Sequence, residues 1–67
     1  MKLNEFVSVL NGVEVEVINI FDDEIIYKGI ASGIKKNGKM FKNYKVVGVI
    51  SDKEASYDLK IGVTKEN

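Results

Sequence analysis

Val13-Glu14-Val15-Glu16-Val17-Ile18-Asn19-Ile20 is the stretch on which the fold turns. From Val13 to Val17 apolar and acidic residues alternate, so a strand through them sets three valines on one face and Glu14 and Glu16 on the other. At Val17-Ile18 two apolar residues stand side by side, and Ile20 continues the shifted phase. One extra residue in the strand, a β-bulge, reconciles the two phases and bends the sheet there.

Upstream, Leu3, Phe6, Val7 and Leu10 recur at i, i+3, i+4 and i+7, the spacing of a short amphipathic helix, with Asn4 as its cap and Asn11-Gly12 as its stop. Downstream, Phe21-Asp22-Asp23-Glu24 reads as the turn of a hairpin whose second strand covers residues 25–31, with Gly29 as a bend inside it. A third strand is expected over residues 45–51, again with an interior glycine, Gly48. A polar turn of Asp52, Lys53, Glu54 and Ala55 leads to a fourth strand, in which Tyr57, Leu59, Ile61 and Val63 alternate with Asp58, Lys60, Gly62 and Thr64. Residues 32–44 form a long connection, expected to be functional or partly ordered as a turn of helix. The expected fold is α+β and mostly β: one domain over residues 1–67, with a short N-terminal helix packed on a bent antiparallel sheet of four to five strands. A small open barrel of the SH3 or Sm-like kind is one form the bend can take. Val15, Val17, Ile26, Val47, Val49, Leu59 and Ile61 are expected inside, under Phe6 and Leu10.

Sixty-seven residues bury only roughly 60% of the surface that the unfolded chain exposes, which leaves little for a deep catalytic cleft. There is no cysteine and no histidine, so disulfides, thiolate metal sites and the usual neutral-pH general base are all missing. Ser8, Ser32, Ser51 and Ser56 have no histidine to activate them, and a non-enzymatic protein without a cofactor is expected. No apolar run approaches the roughly 20 residues that cross a bilayer, and no cleavable leader is evident, so the expected location is the cytoplasm with no membrane partner.

The formal net charge is +0, but this conceals a division. Residues 14–24 carry five acids and no lysine, whereas residues 25–51 carry six lysines and no acid. Lys35, Lys36, Lys39, Lys42 and Lys45 lie close together with Asn37, Phe41 and Tyr44 among them, and cations interleaved with rings suit an anionic ligand such as a nucleotide. The competing explanation is a solvated loop with Phe41 and Tyr44 tucked into the core. Arginine is absent, and lysine is a point charge unsuited to the bidentate reading of guanine, which argues against sequence-specific DNA recognition.

Two further patterns are weaker. Residues 33–39 match the first seven positions of a phosphate-binding loop, but Met40 stands where a hydroxyl is needed, and Asn37-Gly38 is better explained as turn chemistry. Asp22-Asp23-Glu24 offers hard-metal oxygens, yet consecutive residues in a tight turn point apart. Glu14, Glu16 and the turn acids form an acidic patch that could meet the basic segment of a second copy. Alternatively, residues 57–63 could pair as an edge strand across a two-fold, and either contact would give a homo-oligomer.

Met1-Lys2-Leu3, the acidic-hydrophobic strand, Tyr27-Lys28-Gly29 and Tyr44-Lys45-Val46-Val47-Gly48-Val49 together resemble a loose family of small phage and prophage proteins of low-GC Gram-positive bacteria. That resemblance implies a mobile-element origin and motivates a host-directed role, but its motifs are those of a fold and assign no activity. Joined to the basic segment, it gives the expectation of a counter-defence protein that holds a signalling nucleotide; the alternative is direct inhibition of a host or defence enzyme in the manner of an anti-CRISPR protein. Leu10-Asn11-Gly12, the valine-rich strand and Gly29 also resemble the start of an Sm-like domain, which implies non-specific RNA binding. The Asp and Asn of the Sm-like turn have no match at residues 31–36, so the RNA pocket is not carried over.

Overall fold

The computed structural model describes residues 1–51 and 57–66; the expected turn of Asp52, Lys53, Glu54 and Ala55, and Ser56, lie outside the described residues. The elements in chain order are α1 (Leu3–Val7), β1 (Glu14–Asn19), β2 (Glu24–Ile30), α2 (Ser32–Lys36), α3 (Gly38–Phe41), β3 (Tyr44–Ile50) and β4 (Leu59–Lys65). The fold is α+β, with four strands in one sheet ordered β2-β1-β4-β3. β1 and β2 form the expected hairpin, closed by an Asn19–Glu24 turn. There Asp23 adopts φ 56, and the Asn19 and Asp22 side chains accept from the Phe21 and Glu24 amides at 3.0 Å each. Short polar side chains that bond their own backbone and tolerate positive φ are what such a turn requires.

The β1–β2 register shifts beside Val17 and Ile18, but the extra residue is Ile26 of β2. β1 itself keeps an unbroken register with β4, so the bulge expected within β1 does not form and Ile18 and Ile20 face the side away from the helices. A second shift, between Val46 and Gly48, makes Val47 the extra residue of β3.

The sheet differs from the antiparallel expectation. β4 runs parallel to β1, with Val15 opposite Leu59 and Val17 opposite Ile61, and antiparallel to β3, so the sheet is mixed. The connection through α2 and α3 carries the chain from one side of the sheet to the other, and β4 fills the space left between β1 and β3. Residues 57–63 therefore cannot serve as a free edge for dimerisation, since β4 is central and the edges are β2 and β3. Those edges do not pair with each other, so the sheet is open and no barrel closes.

All three helices cover one face. Leu3, Val7, Val15, Val17, Ala31, Ile34, Phe41, Ile61 and Val63 form one buried cluster, with Phe6, Leu10, Ile26, Tyr27, Tyr44, Val46 and Leu59 packed half-buried against it. Two residues expected inside are not: Val47 is 48% exposed and Val49 43%. Val47 is turned to the opposite face by the bulge. Val49 shares the helix side with its partner Ile61, but lies on edge strand β3, which has a neighbouring strand on one side only.

α1 is also shorter than its apolar spacing suggests, and its N-cap is Lys2 without a side-chain bond. Asn4, the expected cap, instead donates Nδ2 to the Gly38 carbonyl at 2.9 Å and ties α1 to α3. Among the described residues no helix is long and apolar enough to cross a membrane.

Candidate functional site

Residues 31–44 form the surface that the lysines occupy. Ala31, Ile34 and Phe41 recur at helical spacing, with Gly38 between the last two, and all three side chains point into the core. That inward stripe forces the intervening Lys35, Lys36, Lys39 and Lys42 outward, and all four are exposed. The stripe was visible in the sequence as 31, 34, 38, 41, and it is the signal that converts the expected loop into α2 and α3.

Asn37 sits at the joint between the two helices, where its Nδ2 donates to the Gly33 carbonyl at 2.9 Å and its own carbonyl accepts from the Met40 amide at 2.9 Å. Its place is that of a turn residue, as the Asn37-Gly38 pair suggests. The glycines of the phosphate-loop-like pattern have packing roles. A Cβ at Gly33 would collide with the Tyr27 hydroxyl, which donates to the Ile30 carbonyl at 2.7 Å. Gly29, at φ 148, lets the backbone pass beside the same ring.

The aromatic members part company. Phe41 is 2% exposed and packs edge-on against Tyr27, with centroids 5.8 Å apart, so its ring belongs to the core. Tyr44 is half-buried, with its ring centroid 6.5 Å from that of Phe41. Lys45 lies on β3 between Tyr44 and Val46, which face the helices, so strand alternation directs it to the other side of the sheet from Lys35, Lys36, Lys39 and Lys42.

Two hollows meet on this surface. A wide, open one of about 550 Å³ is lined by Lys36, Asn37, Gly38, Lys39 and Met40. A smaller one of about 240 Å³ lies between the hairpin and α3, lined by Asn19, Glu24, Ile25, Ile26, Met40, Phe41 and Tyr44. Met40, 74% exposed, borders both. Charge alone did not point to Asn19, Glu24 and Met40, because the hairpin end that holds Asn19 and Glu24 meets α3 only in the folded chain.

Asp22, Asp23 and Glu24 do not converge: among the described residues no group of three or more His, Cys, Asp or Glu side chains is placed to hold a metal ion. No family model, curated protein or solved structure matches the chain.

Proposed function

We propose that the protein is a non-catalytic binding protein for a phosphorylated, base-bearing small molecule, held across the two hollows that share Met40. That adjacency carries the reading. The wide hollow presents Lys36 and Lys39, point charges that suit phosphate oxygens. The smaller hollow presents the apolar flanks of Ile26 and Met40 beside the Glu24 carboxylate and Asn19, a combination able to take a flat ring and accept from its amino group. Tyr44, rather than the buried Phe41, supplies the ring face. Lys35 and Lys42 extend the positive rim, and Lys45 adds only long-range field. The resemblance to phage and prophage proteins would place such binding in a host-directed, counter-defence setting.

Calorimetry against a panel of linear and cyclic nucleotides, at low and high salt, tests the proposal. Binding of at least one nucleotide is expected. Lys36→Ala with Lys39→Ala should weaken it and flatten its salt dependence, because fewer counterions are displaced on docking. Tyr44→Leu should remove roughly 1–3 kcal/mol of binding whatever the salt. Silence across the panel at both salts refutes the proposal.

A second reading, direct inhibition of a host or defence enzyme, draws support from the sheet face that none of the described helices covers. Its signature is a protein partner lost when Glu14 and Glu16 are reversed in charge, with no nucleotide affinity. Tight binding of RNA regardless of sequence would instead favour the Sm-like expectation.

A further inference from the structure

The face of the sheet opposite the helices is half charged and half apolar. Strand alternation and register place Lys28, Glu16, Lys60 and Ile50 in one row across β2, β1, β4 and β3, and Ile25, Ile18, Gly62 and Gly48 in the next. A groove of about 330 Å³ runs over this second row, floored by Gly48 and Gly62 and walled by Ile18, Ile20, Val47 and Ile50. Ile20, Ile25, Val47 and Ile50 are 49%, 54%, 48% and 60% exposed. We propose that this face is the interface of a two-fold dimer in which a second copy of the chain packs sheet on sheet.

The rows are self-complementary about an axis lying in the interface, parallel to the strands and between β1 and β4. Rotation about that axis exchanges β1 with β4 of the second copy and β2 with β3. Glu16 then faces Lys60 of the other copy, and Lys60 faces its Glu16. In the next row Ile25 lies over the other copy's Gly48, which is open, while Ile18 meets Gly62 where its own Ile20 side chain already covers it, so the contact there is between isoleucines. The pairs nearest the axis are the least displaced by the roughly 30° rotation between packed sheets. Glu14 and Asp58 fall at the rim, where water screens them, and the Asp58 carboxylate is turned back to accept from the Glu14 amide at 3.0 Å.

The size is adequate for a modest dimer. Four strands about 4.8 Å apart, at about 3.3 Å per residue, give a face of roughly 19 by 22 Å, or roughly 800 Å² of projected area for the two copies. Side-chain relief raises the accessible area toward the ~1,000 Å² of a specific interface, the size range of weak, transient complexes. The proposal rests on different observations from the nucleotide reading, and of the residues named for the two surfaces they share Ile25.

Sedimentation equilibrium from about ten to several hundred micromolar, a range that covers a weak complex, tests it. The native chain is expected to pass from monomer to dimer. Ile50, exposed and facing Lys28 of the other copy, gives opposite signs: Ile50→Lys should weaken the dimer by about tenfold or more, whereas Ile50→Glu should keep or tighten it. Glu16→Lys and Lys60→Glu should each be monomeric alone yet form a one-to-one heterodimer when mixed, since each then supplies the charge the other lacks. A native chain monomeric throughout, or a dimer indifferent to the sign of the charge at residue 50, overturns the proposal. Should either charge-swapped chain fail to fold, the Ile50 pair decides alone.

Discussion

The two faces of the sheet are made by the same strands and meet different fates. On the helix side Val15, Val17, Ile61 and Val63 are fully buried; on the other side Ile20, Ile25, Val47 and Ile50 keep about half their surface in solvent. Both faces carry branched aliphatic side chains, so hydrophobicity alone does not decide which is covered. The connections decide it. α1 and the α2–α3 crossover lie on one side, and their apolar stripes, Leu3 with Val7 and Ala31 with Ile34 and Phe41, close over it. A contrast in burial set by the path of the chain should appear as a contrast in the energetic effect of otherwise identical truncations.

The largest expected effect is therefore at Ile61. Ile61→Ala removes a fully buried side chain and should cost about 2–5 kcal/mol, while Ile25→Ala on the other face should stay under about 1 kcal/mol. Urea unfolding of both variants, at a concentration where the chain is monomeric, measures the difference. A chain of this length has roughly 3–10 kcal/mol to lose, so Ile61→Ala alone could abolish folding. Equal midpoints for the two variants would break the comparison between the faces.

The hairpin and the strand alternation were legible because each is a local matter of side-chain period and turn chemistry. The slip at Val17-Ile18 is not a bulge in β1: Ile18 and Ile20 simply face the side away from the helices, and the extra residue is Ile26 of β2. The position of β4 was not. A strand reading Leu59, Ile61, Val63 with polar residues between shows that one face is covered, but says nothing about whether one or two neighbours flank it. Val46-Val47-Gly48-Val49 has too little contrast to reveal its own bulge, so Val47 was assigned to the wrong face. At the candidate site the lysines were legible as charge, and their outward direction follows from the 31, 34, 41 stripe. The hollow between Glu24 and Tyr44 was not legible, since it depends on how the hairpin end meets α3.

A smaller effect sharpens the account of how the crossover is seated on its face. Gly33 makes room for the Tyr27 hydroxyl, and a methyl group there forces the ring or α2 to move. Gly33→Ala should destabilise by about 1–3 kcal/mol, as overpacking of a filled site does. Tyr27→Phe removes the colliding oxygen, so the double variant should lose less than the sum of the two single losses. Thermal melts of the four chains form the cycle. Strict additivity would mean that the glycine is needed for some reason other than Tyr27.

The smallest effect isolates burial from everything else. Val49 and Val63 are both β-branched strand residues directed to the helix side, and they differ mainly in cover: Val63 is fully buried in central β4, whereas Val49 lies 43% exposed on edge strand β3. Threonine keeps the branched shape and the strand preference of valine while replacing a methyl group with a hydroxyl. At residue 63 the hydroxyl enters an apolar cluster that contains no buried polar residue, and should cost about 1–3 kcal/mol. At residue 49 it stays in water, and the change should lie within about 0.5 kcal/mol of zero. Denaturant midpoints for the two threonine variants read the difference directly. If Val49→Thr proved as harmful as Val63→Thr, the helices would have to cover the far end of β3, and the covered face would be larger than the one described.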